Sequence, residues 1–150
     1  MPSRFRLDRS PKRAAVVLLA ATSLFAAPPS NSPTRTPPAP PNAWADLPKV
    51  LELAKRPNAV IKVSGACTLS HEPYPYPDIW DPLARIFDAW GFDRCLWGTD
   101  WTRASAVVNF EQATRPFLET DRLTDSERAM LMGGACAKAY RWSPTGRAAR

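Results

Sequence analysis

The sequence predicts an α/β fold with parallel strands, on three observations. Two short stretches, 59–63 and 95–97, have the β-branched or apolar composition of buried strands. Each follows a stretch in which apolar residues recur at helical spacing. The order helix, strand, helix, strand favours parallel strands joined by crossover helices. At 150 residues the chain is long enough for one domain with a core, but a complete (β/α)8 barrel needs roughly 250 residues.

A helix is predicted before the first strand. Apolar residues recur there on one helical face, at Leu47, Val50, Leu51 and Ala54. Pro48 is tolerated in the first turn, where a backbone N–H would have no intrahelical acceptor. The sequence Arg-Pro-Asn at 56–58 ends this helix, because a residue before proline is pushed out of the helical conformation. The following strand is expected to stop at Ser64-Gly65.

A second helix is predicted between the two strands. Asp78 is expected to cap its start and Gly91 to end it, and the apolar residues between them recur at helical spacing: Ile79, Leu83, Ile86, Phe87 and Trp90. Beyond the second strand, residues 109–120 are predicted to be helical. Thr124 and Glu127 form a capping-box pattern that opens a further helix, since each side chain can accept from the other's backbone N–H.

The first 42 residues differ in composition from the rest of the chain. They hold nine of the seventeen prolines and no Gly, Glu, Trp or Tyr. Basic residues come first, then an apolar run at 14–27, then a Pro-rich stretch, which is the order of a secretory signal peptide. The run is too short to span a bilayer as a helix. Three interpretations remain open: a non-native N-terminus from a shifted reading frame or misassigned start, a signal or anchor, and a genuine disordered tail.

These observations divide the chain into three parts. Residues 1–42 form a non-core segment rich in Pro, Arg and Ala, residues 43–143 form the patterned part, and residues 144–150 form a basic tail. Within the first part, residues 28–41 are expected to be disordered, because prolines cannot donate to a regular hydrogen-bond ladder and the stretch has little apolar surface to bury.

Charge and cysteine usage exclude some classes of function. The net charge is +6, yet residues 43–140 carry eleven Lys or Arg against thirteen Asp or Glu, so nucleic acid is not predicted as a partner. Cys67, Cys95 and Cys136 lack CxxC spacing, which favours reduced, mostly buried thiols over a disulfide framework or a zinc site. Cys95 is not expected to be a nucleophile, because burial in an apolar strand raises the pKa of a thiol.

The strongest functional signal is the corner after the second strand. The apolar run at 95–97 stops on Gly-Thr-Asp-Trp at 98–101. A strand that ends by presenting a carboxylate beside an indole is how a (β/α)-barrel enzyme offers a catalytic acid at the mouth of its barrel. Asp100 is therefore the predicted catalytic residue. The chain has a single histidine, His71, and no His-x-His pair, so the catalytic apparatus is incomplete.

Four motifs in sequence order resemble the C-terminal part of the amidohydrolase-2 family. They are Pro-Asn-Ala-Val-Ile-Lys-Val-Ser-Gly at 57–65, Tyr-Pro-Tyr-Pro-Asp at 74–78, Arg-Cys-Leu-Trp-Gly-Thr-Asp-Trp at 94–101, and the pattern from Leu123 to Trp142. The resemblance covers about residues 43–143 and points to the lactonase-like branch. It implies a partial (β/α)8 TIM barrel of the metal-dependent hydrolase type, containing the last two β/α units and the C-terminal helices.

The resemblance also implies roles for residues. In this family the acid at the end of the last strand binds a divalent metal such as zinc, or activates the hydrolytic water, and Asp100 matches it. Ser64, His71, Trp101 and Arg103 are similarly implied to line the substrate pocket. The His-x-His of the family and the histidines of its middle strands have no counterpart here, so the sequence assures no metal.

The function implied is hydrolysis of a small-molecule carbonyl substrate, such as a lactone or an amide, in the cytoplasm. The chain is expected to be inactive alone and to self-associate or to pair with a separately encoded N-terminal half, because an open sheet edge and an uncovered apolar face invite association. The alternative from another class is a non-enzymatic binding module, exported or membrane-tethered through residues 14–27.

Overall fold

The fold contains one sheet of three parallel strands. In the computed structural model, the described residues are the strand at 15–18 and residues 42–142. The spatial order of the strands is β1 (Ala15–Leu18), β2 (Ala59–Ser64) and β3 (Cys95–Gly98). Because β2 and β3 are parallel and Ser64 pairs with Gly98, both strands end at the same edge of the sheet. The predicted parallel arrangement of these two strands is confirmed.

The sheet has one strand more than the two that the sequence analysis expected. β1 lies in the segment 1–42, and Ala15 pairs with Ala59 at the start of β2. The β-branched residues in the apolar run at 14–27 suit a strand as well as the core of a signal peptide, and sequence alone did not separate these outcomes. The predicted disorder of residues 28–41 and the predicted basic tail fall outside the described residues.

The helices lie close to their predicted positions. The described helices are α1 (Leu47–Leu53), α2 (Trp80–Trp90), α3 (Trp101–Ala104), α4 (Phe110–Glu119), α5 (Asp125–Ala129) and α6 (Ala135–Tyr140). A π-helical turn, Met130–Gly134, joins the last two. The capping box of Thr124 and Glu127 is present as predicted, and Asn109 forms a second one with Gln112 at the start of α4. None of the described helices is long and apolar enough to cross a membrane.

The predicted cap of α2 by Asp78 is wrong. A 3-10 turn, Pro77–Ile79, precedes the helix, and no side chain caps its first turn. The Asp78 carboxylate instead accepts a hydrogen bond from the Ser70 hydroxyl and another, at 2.8 Å, from the backbone N–H of His71. Asp78 therefore closes the loop that follows β2.

The two faces of the sheet pack against different helices. Ile61, Val63 and Cys95 are buried in the main cluster, together with Leu83 of α2 and Phe117 of α4. The alternate strand residues Val60 and Leu96 are buried with Ala135 in a second, smaller cluster. This division follows from the period of two along a strand, which sends neighbouring side chains to opposite faces.

Candidate functional site

The candidate site is the corner where the chain leaves β2 and β3. The two strands end side by side, and the backbone N–H of Gly65 donates to the carbonyl of Gly98 at 3.0 Å. This bond continues the pairing of the strands one residue past the end of β2. The residues that follow the strands, Gly65 on one side and Thr99 and Asp100 on the other, are therefore held close together.

Asp100 has an unusual backbone conformation. Its φ and ψ are both 51°, in the left-handed region that non-glycine residues seldom adopt, although aspartate tolerates it better than most. Its carbonyl accepts hydrogen bonds from the backbone N–H groups of Arg103 and Ala104, at 2.9 and 2.8 Å. The conformation therefore turns the chain directly from β3 into α3. Local strain of this kind is typical of functional positions.

The Asp100 carboxylate does not serve the helix that it precedes. Its side chain makes no capping hydrogen bond to α3. The backbone of Gly65 lies close to this side chain: a Cβ added to the glycine would lie 2.9 Å from Asp100 Cβ and 3.4 Å from Asp100 Oδ2. Asp100 is half-buried.

The turn after β2 is rigid. Gly65 has a φ of 66° and begins a short 3-10 turn, Ala66–Leu69. Its carbonyl accepts two hydrogen bonds from Thr68, from the backbone N–H at 2.9 Å and from the hydroxyl at 2.7 Å. The Thr68 side chain is buried, so water does not compete for this bond. The space below the turn, lined by Cys67, Ala104 and Phe117 among others, has no room for a water molecule.

The structure brings together some of the predicted site residues. Ser64 is buried, with 7% of its surface exposed, and lies at the corner beside Gly98. Trp101 follows Asp100 and is 44% exposed, with its ring in an edge-to-face contact with Phe110 at 5.7 Å. Arg103 lies on the same short helix and is half-buried.

His71 is positioned differently. It lies on the exposed connection after β2, where its backbone N–H donates to Asp78. The loop places it among residues 70–78, whose geometry is set by Ser70 and Asp78.

Two residues of the corner were missed as site residues. Sequence analysis used Gly65 only as the end of a strand, and it gave Thr68 no role in the turn. The signal for Gly65 was its place directly after a β-branched strand, but its contact with Asp100 joins residues 35 positions apart, and nothing in the local pattern specifies it.

The three cysteines are free and two of them, Cys67 and Cys95, are buried, as the sequence predicted. Burial raises the pKa of Cys67 to about 12 and the pKa of Cys95 to about 12. The Cys67 thiol also lies 3.7 Å from the carbonyls of Gln112 and Ala113, which are acceptors that favour the protonated form. Cys136 is the exposed one of the three, and all three are free thiols.

A separate groove lies away from the corner. It has a volume of about 590 Å³ and is formed by the loop before α2 and the end of α4, with a lining that includes Tyr74, Trp80, Arg115 and Arg122. None of the predicted site residues lines it. Its two arginines have acidic partners, since Arg115 bonds Glu119 at 2.7 Å and Arg122 lies 3.6 Å from Asp81.

The described residues do not by themselves form a zinc site. Zinc in proteins is held by three or four His, Cys, Asp or Glu ligands at one point. Within the part of the chain that the structure describes, no group of three such residues is placed to hold a metal ion. Asp100 contributes one carboxylate to the corner, and the thiols of Cys67 and Cys95 are buried.

Comparison with known proteins gives consistent results. Residues 33–142 match the family model described as amidohydrolase. A crystal structure of an amidohydrolase from Burkholderia multivorans with bound HEPES superposes with a TM-score of 0.58 at 25% identity, over 68% of this chain and 38% of that chain. A second crystal form of that amidohydrolase, with bound zinc, gives a TM-score of 0.56 at 25% identity, over 67% and 37%. No curated protein matches the chain.

The matches cover only part of each solved amidohydrolase structure. The chain spans less than two fifths of the solved amidohydrolase structures that it resembles. The similarity extends over the mixed helix and strand part that holds the corner.

Proposed function

Since this chain belongs to the amidohydrolase family, we propose that it carries the last two β/α units of an amidohydrolase-type barrel and contributes Asp100 to the hydrolysis of a carbonyl substrate. The observation that carries this proposal is the position of Asp100 at the carboxyl end of β3, beside the carboxyl end of β2. Catalytic groups of (β/α)8 enzymes lie at this end of the strands.

In the proposed reaction, the Asp100 carboxylate acts as a general base. It takes a proton from a water molecule, and the water oxygen adds to the carbonyl carbon of a lactone, an amide or a similar group. The tetrahedral intermediate collapses, the C–O or C–N bond breaks, and the leaving group receives the proton that Asp100 had taken. Proton transfer by a positioned side chain contributes on the order of 10²–10⁴-fold to the rate.

Other groups at the corner have supporting roles in this proposal. The exposed ring of Trp101 offers an apolar surface for the part of the substrate next to the carbonyl. Arg103 is two residues further along the same helix, where a guanidinium can bind an anionic substituent. Ser64 is small and buried, so it shapes the wall of the pocket. His71 is assigned to the loop that covers the pocket from the side of β2.

The proposal includes a requirement for further strands. Within the described sheet, β3 pairs with β2 on one side and with no strand on the other. A parallel strand edge has unpaired backbone N–H and C=O groups that bind another strand. We propose that strands from the rest of a barrel, in a longer polypeptide or in a separately encoded half, cover this edge and complete the pocket. The isolated 150-residue chain is accordingly proposed to lack efficient turnover.

A hydrolysis assay tests the proposal. The full chain is purified and offered a panel of lactones, amides and esters, alone and mixed with a polypeptide that supplies the strands and helices of a related barrel that this chain lacks, with and without added zinc. We expect turnover only in the mixture. In the mixture, Asp100→Asn should lower kcat by about 10²-fold or more, because the amide cannot take a proton.

The matched control is Asp88→Asn, on the exposed side of α2. It removes the same charge and should leave the rate unchanged. If Asp100→Asn leaves turnover in the mixture intact, the role of Asp100 is contradicted. If the isolated chain turns over substrate and Asp100→Asn abolishes that turnover, the need for further strands is contradicted. A processed or membrane-associated product in cell fractionation, with no turnover in any mixture, would favour the exported binding module.

A further inference from the structure

We infer that Gly65 is a positioning residue for Asp100: the absence of a side chain on the glycine creates the space in which the carboxyl group is held. The inference deepens the proposed function, and its consequence for catalysis rests on that proposed function. The placement itself is a property of the folded chain, and it can be measured whether or not the protein hydrolyses anything.

The steric argument comes from the distance between the two residues. A Cβ on Gly65 would lie 2.9 Å from Asp100 Cβ, closer than such atoms approach in folded proteins, and 3.4 Å from Oδ2. The first of these atoms is fixed to the backbone and cannot move away by rotation of the side chain. An alanine at this position therefore displaces the backbone of Asp100, of residue 65, or of both.

The backbone of Gly65 has little freedom to absorb that displacement. Its N–H is bonded to Gly98 at 3.0 Å, and its carbonyl is bonded to the buried Thr68 hydroxyl at 2.7 Å and to the Thr68 backbone N–H. Both of its peptide groups are thus tied to neighbours. Its φ of 66° also places it in the region where a side chain is strained.

Asp100 is held less firmly than the glycine. The backbone carbonyl of Asp100 is bonded by the first turn of α3, but its side chain makes no capping hydrogen bond there. Packing against Gly65 is therefore the contact that sets the direction of the carboxylate. When residue 65 acquires a side chain, the carboxylate is the group that we expect to move.

The chain provides a matched control for backbone strain. Gly91 also has a positive φ, 71°, and ends α2 at the opposite end of β3 from Asp100. A Cβ on Gly91 would meet Asp93 Oδ1 at 3.0 Å and would not approach Asp100. Since the ψ of Gly91 is 146°, a conformation essentially restricted to glycine, Gly91→Ala imposes a conformational cost at least as large as Gly65→Ala without changing the site.

The test is the ¹³C NMR signal of the Asp100 carboxyl carbon in the full 150-residue protein, assigned by its loss in Asp100→Asn. We expect Gly65→Ala to shift this signal and Gly91→Ala to leave it in place. An unchanged signal in Gly65→Ala, or equal shifts in both variants, would overturn the inference. Where the mixture with the remaining β/α units is active, Gly65→Ala should lower kcat with little change in KM.

A second variant covers the case in which Gly65→Ala does not fold. Thr68→Val keeps the shape of a buried side chain and removes the hydroxyl that holds the Gly65 carbonyl. We expect Thr68→Val to shift the Asp100 carboxyl signal in the same direction as Gly65→Ala does, but by less, because the Gly65 carbonyl keeps its bond to the Thr68 backbone N–H. No shift in a folded Thr68→Val protein would overturn the inference. A shifted signal without hydrolysis in any mixture would support the positioning and refute the proposed function.

Discussion

Arg94 connects three parts of the fold at the start of β3, and its replacement should destabilise the protein measurably. Its Nε donates to the carbonyl of Trp90 at 2.7 Å, and its Nη1 donates to Ala54 at 3.0 Å and Arg56 at 3.1 Å. Its Nη2 reaches the carbonyl of Ala89 at 3.4 Å, and the guanidinium lies 5.2 Å from the centre of the Trp90 ring. The side chain thereby joins the end of α1, the end of α2 and β3.

The magnitude follows from which of these contacts are shielded from water. The bonds to Trp90 and Ala54 are partly buried, whereas those to Arg56 and Ala89 are exposed, where water replaces the donor at little cost. We count about 1 kcal/mol for each partly buried bond and about 0.5 kcal/mol for the contact with the ring. Arg94→Ala should therefore lower the free energy of unfolding by about 2–3 kcal/mol.

Urea denaturation of the full chain, followed by circular dichroism, measures this loss. Arg85→Ala is the control, since Arg85 is an exposed arginine on α2, and it should change the stability by less than about 0.5 kcal/mol. Arg94→Lys should recover only part of the loss, because the compact ammonium lacks the extended planar fork whose nitrogens reach these separate carbonyls and the Trp90 ring. A loss in Arg94→Ala no larger than in Arg85→Ala would refute the reasoning.

Two further predictions concern a cap and the thiols. Thr124→Ala removes the hydroxyl that accepts from the Glu127 N–H, and it should cost about 1 kcal/mol in urea denaturation, with a loss near zero contradicting the importance of the capping box. At pH 8, iodoacetamide should modify Cys136 and spare Cys67 and Cys95, whose pKa values are about 12; mass spectrometry reports the sites, and rapid labelling of either buried thiol in the folded protein would contradict their burial. Because the thiol pKa is higher in the folded than in the unfolded chain, stability should be unaffected by these groups below about pH 9 and should fall between about pH 9 and 12.

Local patterns predicted the elements that depend on residues close together in sequence. The spacing of apolar residues located α1 and α2, the β-branched run at 59–63 located β2, and the capping pattern at Thr124 located the start of α5. The sequence also predicted that Asp100 follows a strand directly, which is a property of a few consecutive residues. Each of these features is set by backbone preferences and by the period of the hydrophobic pattern.

Other features were not predictable by the same means. Asp78 has the residue type and position of a helix cap. Its carboxylate instead accepts hydrogen bonds from the Ser70 hydroxyl and the backbone N–H of His71, so it does not cap the helix. No strand was predicted in the apolar run at 14–27, because the pairing of Ala15–Leu18 with β2 joins residues distant in sequence.

The sequence by itself determined the parallel order of the elements and the acid at the end of β3, because these follow from periodicity and from neighbouring residues. Only the tertiary structure decided that Asp100 rests against Gly65, that Thr68 fixes this glycine, and that a third strand joins the sheet. The physical reason is that each of these is a contact between residues distant in sequence, whose geometry exists only when the strands have paired and the faces of the sheet are covered.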